Sequence, residues 1–263
     1  MAHKKRNGRP ACAVLLFCVL LLGGCTTLPA GGRPAGTLQS ATFAIAPVIG
    51  QKQPPQGTWP APASRILPVE NILQNPQLPN GCEATSLAIL LGYHGFTVDK
   101  MEMAYQYLPR EAFRYEDGVF TGADPDKAYA GDPATNYGFY CFASPATAGA
   151  NRYLVGQNTA LRAWNITGAD EDELISLLAR GLPMVVWKTT DHAAPRRSST
   201  ISWHLAASGE QYVPYMNLHV VVLCGYDEEY FYFCDPHGRR PQIERAEFMA
   251  DFERMGSRAV VIE

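Results

Sequence analysis

Residues Gln74–Gly95 read QNPQLPNGCEATSLAILLGYHG, a Pro/Asn/Gly-rich loop running into an apolar helix with one cysteine, Cys82, at the junction. The spacing of Ala84, Leu87, Leu90 and Leu91 predicts an amphipathic helix with one inward stripe, which Gly92 and Gly95 can end. A thiol at a helix N-terminus feels the positive end of the peptide dipoles, which favours the thiolate, the form that attacks carbonyl carbon. Cys82 is therefore where a catalytic cysteine would sit, although a cysteine taken alone has an ordinary structural reading as a buried apolar residue.

The elements that follow Gly95 continue in the same manner. Asp99 caps a second helix over Lys100–Tyr107, closed before Pro109. Residues 110–142 show no clean period, and a loop of that length in a folded domain is either functional or poorly ordered. A helix over 145–156 and a short strand over Ala160–Trp164 come next. Asp170 caps a helix over Glu171–Arg180, with acids in its first turn, Leu174, Leu177 and Leu178 inward and Gly181 just past its end. Met184–Lys188 reads as a buried strand, 190–216 as a second irregular stretch, Arg245–Met255 as a helix and Ala259–Ile262 as a final strand. Helices come early and strands late, which predicts an α+β fold in which a helical part packs on an antiparallel sheet.

Between the second irregular stretch and the last helix lies a hairpin, Leu218–Gly225 and Tyr230–Asp235, joined by the acidic turn Tyr226–Glu229. A turn centred on Asp227 sets His219 directly opposite Asp235, on one face of the sheet and about 5 Å apart at Cβ. An imidazole beside a carboxylate is held in one tautomer and suits the base of a nucleophilic thiol, and Pro236 restricts Asp235 to extended backbone. A His–Asp strand pair also has a plain reading as a satisfied polar contact. The same register sets Cys234 against Val220, about 13 Å along the strand from Cys224, too far for a disulfide. Alternation turns His219 away from Cys224 and Cys234 away from Asp235, so His219, Cys224, Cys234 and His237 do not converge as a metal site.

Upstream, the chain changes character. Met1–Arg65 carries Lys4, Lys5, Arg6, Arg9, Arg33, Lys52 and Arg65 and no acid, so the 15 remaining basic residues face all 25 acids, a formal charge of −10. Such a body has no electrostatic footprint for nucleic acid. The basic start, the apolar run Ala11–Leu22, short for a membrane span, and Leu22-Gly23-Gly24-Cys25 resemble the signal and lipobox of bacterial lipoproteins. That resemblance implies cleavage after residue 24 and a lipid-modified Cys25; a plain signal peptide or an uncleaved anchor is the alternative. Residues 25–65 then read as a flexible tether and 66–263 as the folded domain. With Cys12 and Cys18 removed and Cys25 acylated, Cys82, Cys141, Cys224 and Cys234 remain, expected mostly as free thiols.

Set in order, several pieces resemble the cysteine peptidase family 39-like domains, the papain-like group that includes the double-glycine leader peptidases. They are Gln74 ahead of Leu78-Pro79-Asn80-Gly81-Cys82-Glu83, then Gly181-Leu182-Pro183-Met184-Val185-Val186-Trp187, Asn217-Leu218-His219-Val220-Val221-Val222, Gly225-Tyr226-Asp227, Cys234-Asp235-Pro236-His237-Gly238 and Glu247-Phe248. The resemblance implies a papain-like fold with Cys82 as nucleophile, His219 as general base and Asp235 orienting the histidine. It implies an oxyanion-hole glutamine, for which Gln74 is preferred and Gln77 is the runner-up; exporter peptidases place it nearer the cysteine, at a position that is Pro76 here. Glu83 reads equally as a cap, an ion-pair partner or a substrate contact, His94 as structural, and His192 and His204 as residues that could line a cleft.

The expected activity is hydrolysis of peptide bonds through a thioester, with no metal or organic cofactor, by a monomer held on the outer face of a bacterial membrane by its N-terminal lipid. The expected partners are a peptide or protein substrate and the membrane, not nucleic acid. Alternatives are a cell-wall peptide amidase or acyltransferase on the same triad, or a non-catalytic surface binding module.

Overall fold

The computed structural model describes residues 61–239 and 241–263; the expected signal, Cys25 and nearly all of the tether lie outside the described residues. In chain order the elements are β1 (Arg65–Ile66), α1 (Cys82–Tyr93), α2 (Lys100–Glu102), which runs into a π-helical turn at Met103–Tyr107, β2 (Arg110–Glu111), β3 (Arg114–Glu116), β4 (Val119–Gly122) and β5 (Tyr129–Ala130). Then come α3 (Ala143–Val155), β6 (Ala163–Asn165), α4 (Glu171–Ala179), β7 (Met184–Thr189), β8 (Trp203–Leu205), β9 (Gln211–Tyr212), β10 (Leu218–Tyr226), β11 (Tyr230–Cys234), β12 (Gln242–Glu244), α5 (Arg245–Arg254) and β13 (Ala259–Ile262). A sheet in the order β12-β11-β10-β7-β13-β6, with β1 added beside β10, is antiparallel at every pairing. The helical part packs on it through α1 against β10 and β7, while α5 packs on β7, β11 and β12. This is the α+β arrangement of a papain-like domain.

The caps behave as the sequence predicts. Asp99 accepts from the Met101 N–H at 2.7 Å and Asp170 from the Glu173 N–H at 2.9 Å, each satisfying an N–H that a helix start leaves unpaired. Gly181, past the end of α4, has φ +89, where a β-carbon would strain the backbone.

Three expectations are corrected. α1 is not amphipathic: every residue from Cys82 to Leu91 is buried, because the sheet, α3 and the loop before α3 close around it. A helix apolar or satisfied on all sides is an interior helix, and its few polar side chains, Glu83, Thr85 and Ser86, each find partners.

The two stretches read as irregular contain short strands and fold on each other. β4 pairs in parallel with β8 and antiparallel with β3, and β9 completes a small sheet. Phe113 stacks on Phe120 and meets Trp203 edge-on, and Phe139 joins them. That cluster buries Trp203, whose Nε1–H donates to the Ala123 carbonyl.

The third correction is the hairpin register. The observed pairs are Val222↔Cys234, Leu223↔Phe233, Gly225↔Tyr232 and Tyr226↔Phe231, with a bulge between Leu223 and Gly225. The turn centres beyond Asp227 because that side chain accepts the N–H groups of Glu229 and Tyr230 and so folds the turn over 227–230. The bulge leaves Cys224 as the extra residue. Cys224 and Cys234 accordingly lie with their sulfurs 3.9 Å apart, where the expected register held them far apart.

Candidate active site

Cys82 opens α1, as the sequence predicts. Gly81 before it lies so close to Leu78 that a β-carbon there would stand 2.6 Å from the Leu78 Cβ, so glycine lets the loop pack down onto the helix start. The loop is fixed from several directions. The Tyr129 hydroxyl donates to the Asn80 carbonyl at 2.5 Å, and the Asn80 amide donates to the Thr135 carbonyl.

The two glutamines separate clearly. Gln74 is buried, and its amide nitrogen donates to the carbonyls of Leu78 (3.1 Å) and Pro79 (2.8 Å), while its Oε1 is buried with no partner. Gln77 is exposed and its Oε1 accepts from Lys100 Nζ. Lys100 also donates to the Leu73 and Gln74 carbonyls, which ties α2 to the same loop.

His219 and Asp235 meet as the sequence predicts, though not as directly opposed residues. Continued past its last pair, the observed register sets Asp235 opposite Val221, two residues from His219 and on the same face. Diagonal neighbours are within reach of long side chains, and His219 Nε2 lies 2.7 Å from Asp235 Oδ1. Both side chains are buried. Burial opposes the Asp235 charge, but the hydrogen bond and charge of His219, with the His237 backbone N–H at 2.8 Å, outweigh it and bring the carboxyl down to about 2. Asp235 is aimed by its own backbone: its N–H donates to the Arg239 carbonyl, and its carbonyl accepts from Gly238 N–H and from the Asn71 amide.

Cys82 lies against the same strand. The Val220 backbone N–H, one residue past His219, hydrogen-bonds the sulfur and favours its charge, yet other effects prevail. Burial, then the Glu83 carboxylate, push the thiol well above its ordinary pKa, with Asp235 adding to this. The expectation was a thiol lowered by the helix dipole; the shift runs the other way because Cys82 is buried beside the Glu83 carboxylate, and both oppose the thiolate. The thiol's side-chain partner is Glu83 Oε2 at 3.5 Å, and no hydrogen bond joins it to His219.

Glu83 is fully buried, and its Oε1 accepts from the Cys141 N–H at 2.9 Å. Burial raises its carboxyl to about 7 despite the N–H groups of Glu83 itself and Cys141 and the Cys82 thiol, all of which favour the charge. Sequence reasoning left the role of Glu83 open and missed Cys141 as its partner, since nothing in the 141 region signals a contact with α1.

A small cavity of about 50 Å³ adjoins His219 and Asp235, lined also by Lys188, His192 and Arg239. His192, expected as a cleft residue, does lie there, and its Nδ1 is 3.6 Å from Asp251. His204 is exposed on β8, away from that cavity's lining. His94 is half-buried, and burial lowers its pKa. His219, Asp235 and His237 bring possible ligand atoms within 4.8 Å of one another. The two imidazoles, however, are stacked at 4.3 Å and 12° from parallel. Ring nitrogens bind metal in the ring plane, and nearly parallel planes offer no shared point for an ion.

The model of the Peptidase_C39 like family matches residues 66–260. The Bacillus subtilis (strain 168) protein named "Uncharacterized protein YvpB" is 31% identical over 201 residues, covering 74% of this chain and 76% of that protein. A solved structure described as a candidate C39-like peptidase from Bacillus anthracis is 31% identical with a TM-score of 0.65, over 76% of this chain and 97% of that one.

Proposed function

Since the chain belongs to the Peptidase_C39 like family, matched over residues 66–260, we propose that it is a cysteine peptidase with Cys82 as nucleophile, His219 as general base and Asp235 orienting the histidine. The observation that carries this is the 2.7 Å contact of His219 Nε2 with Asp235 Oδ1, on a strand whose next backbone N–H reaches the Cys82 sulfur. With Nε2 committed to the carboxylate, Nδ1 is the ring atom left for the thiol. Turning from Glu83 toward the histidine, Cys82 gives its proton to Nδ1, and the thiolate adds to the carbonyl carbon of the substrate. The oxyanion gathers at the start of α1, where the Cys82 N–H has no intrahelical acceptor. The imidazolium returns its proton to the leaving amine as the C–N bond breaks. Water, deprotonated by the same nitrogen, then cleaves the thioester and restores the thiol.

Gln74 is the second oxyanion donor in this reading, supported by its burial beside the Cys82 loop. To act so it must release one N–H from Leu78 or Pro79. Loss of activity in Gln77→Ala but not in Gln74→Ala would reverse the choice. The reading includes Cys25 as a lipidated first residue that anchors a monomer to the outer face of a bacterial membrane, supported by the Leu22–Cys25 sequence; a Cys25→Ala protein that still carries lipid would refute it. The activity is tested by cleavage of a peptide library by the wild-type protein and Cys82→Ala in parallel. Turnover confined to the wild type is expected, and equal turnover by both overturns the peptidase reading.

A further inference from the structure

Glu83 is the residue the reaction above does not use, and it is the one the resting thiol touches. It occupies the first turn of α1, is fully buried, and has both carboxyl oxygens engaged: Oε1 by the Cys141 N–H at 2.9 Å and Oε2 by the Cys82 thiol at 3.5 Å. Cys141 is itself pinned, its carbonyl accepting from Trp187 Nε1–H at 2.9 Å on β7. The carboxyl group is therefore a fixed acceptor built from three elements, aimed at the sulfur. His219, the base of the reaction, makes its hydrogen bond to Asp235 instead.

We propose that Glu83 is a positioning residue for the nucleophile, holding the Cys82 thiol protonated in a resting arrangement from which the sulfur must be released before it can pass its proton to His219. The inference rests on Cys82 being the nucleophile. A carboxylate that accepts from S–H stabilises the neutral thiol and opposes the thiolate, so the resting state is protected from adventitious chemistry. Release comes in two ways. Substrate that draws the sulfur toward the carbonyl carbon breaks the contact directly, and protonation of Glu83 removes the opposing charge. Burial raises this carboxyl into the neutral range, so the second route operates on the acid side of neutrality. The titratable groups facing the pair are Tyr129 from β5 and Cys141 from the loop before α3, both pushed well above their ordinary values by burial, and Asp235, whose charge also opposes the thiolate.

The test reads the thiol itself. Alkylation of the full-length protein by iodoacetamide is followed by peptide mapping, so that Cys82 is scored separately from Cys141, Cys224 and Cys234, across the range from about pH 5.5 to about pH 9. Glu83→Gln keeps an oxygen for the Cys141 N–H and turns an amide donor toward the sulfur, which favours the thiolate. Near pH 8 it should react at least ~10-fold faster than wild type, the effect of one unit in the thiol pKa. The ratio should shrink toward about pH 6, where the wild-type carboxyl is protonated. A merely structural role changes the ratio equally at all pH values, and that outcome, or no acceleration, overturns the proposal. If Glu83→Gln does not fold, the wild-type profile decides alone. A second inflection near neutrality, where Glu83 ionises, supports it, and a single simple thiol titration overturns it. Peptide cleavage is scored separately. Acceleration of alkylation with no Cys82-dependent cleavage leaves the positioning role standing and removes the peptidase, whereas Cys82-dependent cleavage with an unaccelerated variant removes the positioning role alone.

Discussion

Replacing Glu83 by glutamine should make the protein more stable at alkaline pH and leave it unchanged in mild acid. The carboxyl titrates at about 7 in the fold against an ordinary 4.5. Between those values the folded protein keeps a proton that the unfolded chain has released, so stability falls as pH rises through this window and is level outside it. At about 1.4 kcal/mol per unit, the full loss is about 3 kcal/mol above neutrality. Glutamine cannot ionise and still accepts from the Cys141 N–H, so the variant avoids that loss. Urea unfolding under reducing conditions at several pH values measures it. The midpoints of the two proteins should coincide near pH 4 and separate by about 1–3 M at pH 8, given slopes typical of small proteins. Acid-sensitive groups such as Asp235 are common to both proteins and cancel in the difference. Midpoints that run parallel at every pH would refute the claim that Glu83 is a buried carboxyl titrating near neutrality.

Three further outcomes are expected. Asp235, held at about 2 against an ordinary 3.8, contributes about 2 kcal/mol. That contribution is fully present above pH 4 and lost as pH falls through 2, so Asp235→Asn should flatten the acid limb of a stability-against-pH curve; an unchanged limb counts against the pairing with His219. Gly131→Ala should destabilise by at least ~2 kcal/mol, since φ is +89 and the new Cβ would stand 1.8 Å from the Tyr137 carbonyl oxygen. Calorimetry with limited proteolysis checks this, and a protein that melts and resists protease as wild type does would show that 110–142 is not built as described. Leu90→Ala, in the fully buried α1, should cost about 2–5 kcal/mol, read from urea midpoints, and a cost under about 1 kcal/mol would contradict an interior helix.

Much of the fold is legible because its signals are local. Asp170, the acids after it, Leu174, Leu177, Leu178 and Gly181 state a helix within a dozen residues, and the structure has it from Glu171 to Ala179. The same holds for the hairpin strands and for Cys82 at the head of α1. Periodicity also misled. Ala84, Leu87, Leu90 and Leu91 form a stripe, but the residues between them are small or neutral enough to be buried too, and burial on the other faces depends on what packs there. The stretches 110–142 and 190–216 carry no period because their strands are only two to four residues long and pair across the sequence. Alternation cannot register in so few residues.

By itself the sequence determined the longer helices, the hairpin strands, the α+β class and the residues His219, Asp235 and Cys82 as the chemistry worth seeking, because helix caps, strand alternation and turn residues act over a few neighbours. Tertiary structure alone decided the rest. The bulge at Cys224 shifted the hairpin register and brought two sulfurs within 3.9 Å, since one extra residue leaves no mark on the apolar pattern. Gln74 bound the loop carbonyls. Above all, Cys82 at a helix start became a thiol raised by burial and held by Glu83. A helix dipole is a property of the local chain, but desolvation and a carboxylate fixed by the distant Cys141 N–H exist only once the chain has closed around them.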